Sequence, residues 1–134
     1  MTGLVGLVTL LAVLFYVWTG IAVSQARTKH GIKAPAMTGH PDFERAVRVQ
    51  ANTLEWLPIF IVCLWMFPTT WIGPWLPAAL GLLWIVGRVM YMQGYNAAAD
   101  RRGTGFLIQG IAVLLLFLGS LIGVIQSLVT IGIT

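Results

Sequence analysis

The chain has 134 residues, of which 58% are hydrophobic and 9% charged, where a soluble domain carries about 25% charged residues. With a mean hydropathy of +0.88, this composition excludes a soluble globular protein and a disordered one, and it points to a single membrane domain spanning 1–134. The single cysteine excludes an internal disulfide and a cysteine-based zinc site, and a net charge of +4 offers no basic face to track a nucleic acid.

Every charged residue falls within 27–55 or 88–102. A membrane crossing needs about 20 apolar residues, and residues 3–25 supply the first. Nothing basic precedes Arg27, so the first helix is expected to be an uncleaved span rather than a leader peptide. The following loop is broken by Gly31, Pro35 and Gly39. Its two histidines, His30 and His40, lack a ligand spacing. They read as solvated loop residues, and no metal is expected.

The second helix is predicted over 41–67. The uncharged stretch 56–87 contains a turn from Pro68 to Pro74 and is too short for two crossings. The helix must therefore begin upstream, at Pro41, where proline suits the first turn and Asp42 and Glu44 complement the helix dipole. Pro58 inside it is tolerated in a membrane helix. Cys63, among apolar neighbours, reads as a packing residue. Helix 3 is predicted over 75–96 and helix 4 over 104–131. In helix 4, Gly119 and Gly123 either mark a close packing contact or coincide by chance.

Four spans put both termini on one side. Every Lys and Arg lies in or beside the two loops on the other side, so both loops are expected in the cytoplasm. Trp71 and Trp75 flank the uncharged turn and fit an aromatic belt at the outer surface. A short chain with this charge bias fits a bacterial inner membrane. In a eukaryote the same pattern reads as the endoplasmic reticulum.

Helix lengths draw several charges below the membrane surface. Glu44, Arg48, Asn52 and Glu55 share one stripe of helix 2, and Trp84, Arg88, Tyr91 and Tyr95 share one stripe of helix 3, which ends beside Asp100, Arg101 and Arg102. An ionised group at membrane depth costs roughly 2.5–3.5 kcal/mol on insertion scales, so such groups pair or line a wet cavity. Two readings stand. Arg48 and Glu55 are ion-pair glue between helices, or the stripes line a pocket for a small, net-anionic ligand that carries an amine. Arginines would clamp its carboxylates and Glu55 would accept from its ammonium. A channel or transporter path is not evident, because the outer half has no charge.

The run from Phe43 to Pro58, FERAVRVQANTLEWLP, and the run from Gly87 to Tyr95, GRVMYMQGY, followed by Arg102, resemble the helix 2 and helix 3 signatures of the membrane-associated proteins in eicosanoid and glutathione metabolism (MAPEG). The likeness covers about 35 residues in motif and nearly the whole chain in layout. It implies an all-α four-transmembrane-helix bundle assembled as a homotrimer, with glutathione bound between subunits in the cytoplasmic half of the membrane. Carried over position by position, Arg48, Asn52 and Glu55 match glutathione-binding positions on helix 2, as do Gln50, which lies on another face of that helix, and Arg27 at the end of helix 1. Tyr91 and Tyr95 match the helix 3 contacts. Arg102 matches the arginine credited with stabilising the glutathione thiolate, although spacing alone does not separate it from Arg101.

Two positions depart from the leukotriene-C synthase branch. Trp56 stands at a tyrosine contact and offers an indole N–H in its place. Thr28 stands where that branch has a second arginine, which argues against leukotriene-C synthase activity itself, while the presence of Arg102 leans toward an enzyme resembling the microsomal glutathione transferases. The implied activity is conjugation of the glutathione thiolate to lipophilic electrophiles from the bilayer, with glutathione-dependent reduction of lipid hydroperoxides as a further activity. The alternative is a non-catalytic lipid-binding scaffold like the lipoxygenase-activating branch, which lacks the arginine matching Arg102.

Overall fold

The computed structural model describes residues 2–70 and 72–132. It is all-helical, with α1 over Thr2–Lys29, α2 over Pro41–Met66, α3 over Trp75–Ala97 and α4 over Gly103–Ile131. A short 3-10 helix, Ala99–Arg102, joins α3 to α4. All four long helices are long and apolar enough to cross a membrane. Helix α1 runs four residues past the predicted end. Nothing in its sequence opposes helix before Gly31, which adopts a positive φ of 64° that glycine accommodates without strain. Of the two belt tryptophans, Trp75 opens α3 and is exposed, and Trp71 lies outside the described residues.

The start of α2 follows the expected chemistry. Pro41 occupies the first turn, and the His40 side chain caps the helix by accepting from the Asp42 N–H at 3.2 Å. Glu44 reaches back and accepts from the Gly39 N–H at 3.1 Å. The helix continues through Pro58 to Met66.

Contacts fix an up-down-up-down arrangement. Val8 on α1, Phe60 and Leu64 on α2 and Gly81 on α3 meet at one level, while Val23 clusters with Phe43 and Ala46 at the other end of α1 and α2. Those two helices are therefore antiparallel. Helices α2 and α4 run parallel, since Trp56 meets Phe106 and, further along both, the Ser120 hydroxyl donates to the Cys63 carbonyl at 2.8 Å. Both loops thus lie at one end of the bundle, and the start of α1 and the end of α4 at the other.

The main core collects Val5, Val8, Ala12, Phe60, Leu64, Trp84, Ala112 and Leu116, with Phe60 and Trp84 stacked at 4.1 Å between ring centres. Large apolar side chains also cover the outside, Leu10, Leu14, Leu107 and Val129 among them, as lipid contact requires. Helices α3 and α4 approach closely because of small residues. A side chain at Gly105 would collide with the Tyr91 backbone N, and one at Gly87 would sit 2.6 Å from the Gln109 backbone N. The Gly119 and Gly123 pair also serves close packing. It accepts Phe67 and Pro68, just past the end of α2, rather than another helix.

Candidate functional site

At the loop end, α2, α3 and the start of α4 enclose a cavity of about 290 Å³ lined by Arg48, Asn52, Tyr91, Arg102, Gly103 and Phe106. The lining comes from α2, α3, the 3-10 helix and α4, whose register is set by the packing just described. One turn of α2 separates Arg48 from Asn52, and one turn separates Arg102 from Phe106.

Arg88 organises the cavity from behind. It is wholly buried. One terminal nitrogen donates to Asn52 Oδ1 at 2.8 Å and the other to Thr53 Oγ1 at 2.6 Å. The Thr53 hydroxyl donates in turn to the Val49 carbonyl at 2.7 Å. With its carbonyl oxygen held by Arg88, Asn52 turns its amide nitrogen toward Glu55 Oε2 at 3.3 Å. Glu55 Oε1 lies 3.8 Å from Arg48 Nη1. Asn52 thus links a buried cation to a surface ion pair. The Arg88 guanidinium also sits 4.4 Å from the Tyr91 ring centre, a cation–π contact that helps hold the phenol in place.

Arg48 and Glu55 are not glue between helices of this chain. Both lie on α2, and both side chains are 57% exposed. The cation that ties α3 to α2 by hydrogen bonds is Arg88. Arg102 lies over Tyr95 at 5.2 Å from the ring centre, and Tyr95 adjoins Tyr91 at 5.6 Å between centres. Arg102, not Arg101, lines the cavity. The close approach of the 3-10 turn to α3 depends on Gly94, where a side chain would meet the Arg101 carbonyl.

Trp56 meets Phe106 edge-to-face at 5.9 Å, and Phe106 reaches Tyr91 at 6.0 Å. The cavity therefore has a guanidinium side and an aromatic lip. Phe106 and Thr53 escaped the sequence reading. Phe106 was detectable as the residue four after Arg102. Thr53 had no signal beyond its place next to Asn52.

Within the chain, the structure brings together Arg48, Asn52, Tyr91 and Arg102, with Glu55, Trp56 and Tyr95 adjoining. Arg27 and Gln50 are not in the cavity lining. Arg27 donates to the Ala36 carbonyl at 2.8 Å and lies over the Phe43 ring at 4.8 Å, closing the first loop. Gln50 points at α1, where its amide nitrogen approaches Gly20. Thr28 turns its hydroxyl back to the Ser24 carbonyl at 3.1 Å.

The sequence matches the MAPEG family over residues 5–122. It is 41% identical over 122 residues to an uncharacterized protein of Synechocystis sp., covering 91% of this chain and 88% of the other. It is 44% identical over 102 residues to microsomal glutathione S-transferase 2 of Homo sapiens, covering 75% of this chain and 69% of that protein. To leukotriene C4 synthase of Cavia porcellus it is 35% identical over 99 residues, 74% of this chain and 65% of that one. Four membrane-length helices, the paired motifs on α2 and α3, and a match that runs from α1 well into α4 have one explanation: the chain belongs to the MAPEG family.

Proposed function

We propose that this protein is an integral-membrane glutathione transferase that joins the glutathione thiolate to lipophilic electrophiles. The observation that carries the reading is the convergence of two guanidinium groups, Arg48 and Arg102, with the Asn52 amide and the Tyr91 phenol on one cavity with an aromatic lip. Glutathione carries two carboxylates, an ammonium and a thiol. Arg48 would hold a carboxylate, Glu55 would receive the ammonium, the Asn52 amide nitrogen would donate to an acceptor of the ligand, and Tyr91 and Tyr95 would shape the wall beside the sulfur. The relatives named for glutathione transfer support this choice of ligand.

Arg102 is assigned to the thiol. Only a thiolate attacks, and an unperturbed thiol with pKa about 8.5 is mostly protonated at neutral pH. A nearby guanidinium favours the charged form, and a drop of about two units corresponds to about 2.7 kcal/mol. The proton leaves to solvent. The sulfur then forms a bond to the electrophilic carbon, and the leaving group departs with its electron pair. Trp56 and Phe106 suit the electrophile, which arrives from the bilayer.

The subunits are assigned to a homotrimer, with Arg27 and Gln50 reaching a neighbour's site and both loops in the cytoplasm. The charge distribution and the position of these two residues outside their own cavity support that arrangement.

Purified protein with glutathione is expected to show thiolate absorbance in the ultraviolet and to conjugate a chlorodinitrobenzene-type electrophile. Arg102→Ala should remove most of both signals at neutral pH. Because loss of a positive charge raises the thiol pKa, the variant's activity should recover as pH rises through the ordinary thiol range. An unchanged pH profile and unchanged absorbance in the variant would overturn the assignment of Arg102. Wild-type protein with neither signal would favour the lipid-binding scaffold.

A further inference from the structure

Where the first loop joins α1 to α2, two histidines and an aspartate converge although sequence spacing gave no sign of it. His30, near the end of α1, and His40, the cap of α2, stack face to face with ring centres 3.6 Å apart. Asp42 Oδ2 lies 3.8 Å from His30 Nε2 and 3.9 Å from His40 Nδ1. One ligand atom from each residue falls within 4.8 Å of the others. Arg45 binds the other carboxylate oxygen, Oδ1, which leaves Oδ2 facing the imidazoles. The histidines are therefore not the independent residues that their sequence positions suggest, and His30 is largely withdrawn from solvent.

We propose that His30, His40 and Asp42 form a binding site for a divalent transition metal of the zinc type, which fastens the end of α1 to the start of α2. Metal–ligand bonds of ~2.1 Å in a tetrahedral shell place ligand atoms about 3.4 Å apart. The observed separations to Asp42 need only a small contraction. The two rings must also rotate out of their stack so that both lone pairs meet at one point, and His40 gives up its bond from the Asp42 N–H as it turns. Two imidazoles and one carboxylate leave the fourth position to water. Nitrogen ligands favour zinc, nickel or copper over magnesium and calcium, which take oxygen. The Arg45 guanidinium and the positive end of α2 oppose a cation. They set the affinity below that of a closed structural zinc site.

The site is distinct from the proposed glutathione cavity. None of its three residues lines that cavity, and its test needs no catalytic turnover. Full-length protein with any polyhistidine tag removed, stripped with chelator and free of glutathione, would be titrated with zinc chloride by calorimetry in detergent. One zinc per chain is expected, persisting in excess magnesium. His30→Ala and His40→Asn should each weaken binding at least tenfold, a difference of about 1.4 kcal/mol. Asparagine preserves a capping side chain at the helix start, so the second variant separates loss of a ligand from loss of the fold. Zinc should also slow tryptic cleavage after Lys33 in the wild type and not in the variants. Wild-type zinc affinity in both variants, or no zinc uptake by the wild type, would overturn the proposal.

Discussion

Arg88 connects the residue scale to the site. Its two terminal nitrogens each hold a different α2 side chain, and a lysine, with one nitrogen in place of the planar fork, does not reproduce that geometry. Arg88→Lys should lose at least one of these bonds, at about 1.5–3 kcal/mol for a hydrogen bond to a charged group. The unfolding midpoint in detergent should fall. Asn52, freed from its anchor, should hold glutathione less well, which a raised KM for glutathione would report. The stripe that includes Arg88 was legible in the sequence because helical period places residues on a face. That the stripe faces α2 rather than water was not, since period alone does not say what packs against the face. Thr53, the second partner of Arg88, was invisible for the same reason.

Among the elements, the closest approach is that of α3 to α4, which brings Tyr91, Phe106 and Arg102 to one cavity. Gly105→Ala would push a methyl into the Tyr91 backbone. Overpacking of this kind costs about 1–3 kcal/mol. Gly110, one helix position group further along α4, has open space around its α-carbon, and Gly110→Ala should be neutral or stabilising by up to ~1 kcal/mol. Comparing the two thermal midpoints separates contact at the helix interface from helix propensity. Helix positions were readable to within a few residues, because apolar runs bounded by Gly, Pro and charge leave little choice. The 3-10 turn that delivers Arg102 was not readable. It depends on Gly94 letting the chain fold back against α3, a contact between segments rather than a local pattern. Nor was the meeting of His30 and His40, which the closure of the first loop brings about.

The assembly is the scale at which Arg27 and Gln50 have a place in the proposed chemistry. Both were singled out by resemblance, and neither lines the cavity of its own chain. If each serves a neighbour, then chains carrying Arg102→Ala and chains carrying Arg27→Ala, each nearly inactive alone, should complement one another when co-expressed. In randomly mixed cyclic trimers, about a quarter of the subunit boundaries would combine the two intact residues. Turnover should recover to about that fraction of wild type. Mixed trimers no more active than the separate variants would place the whole site within one chain.

The charges sit at one end of the bundle, and the aromatic lip of the cavity lies beside them. On the proposed reading, one reactant is counted per volume of water and the other per area of lipid. Rate would then follow the electrophile's mole fraction in the membrane rather than its total concentration. Adding inert detergent at a fixed amount of electrophile should slow the reaction by surface dilution, while the dependence on glutathione stays the same. A water-soluble electrophile should escape the effect, so the ratio of the two rates measures how far the bilayer acts as the substrate reservoir.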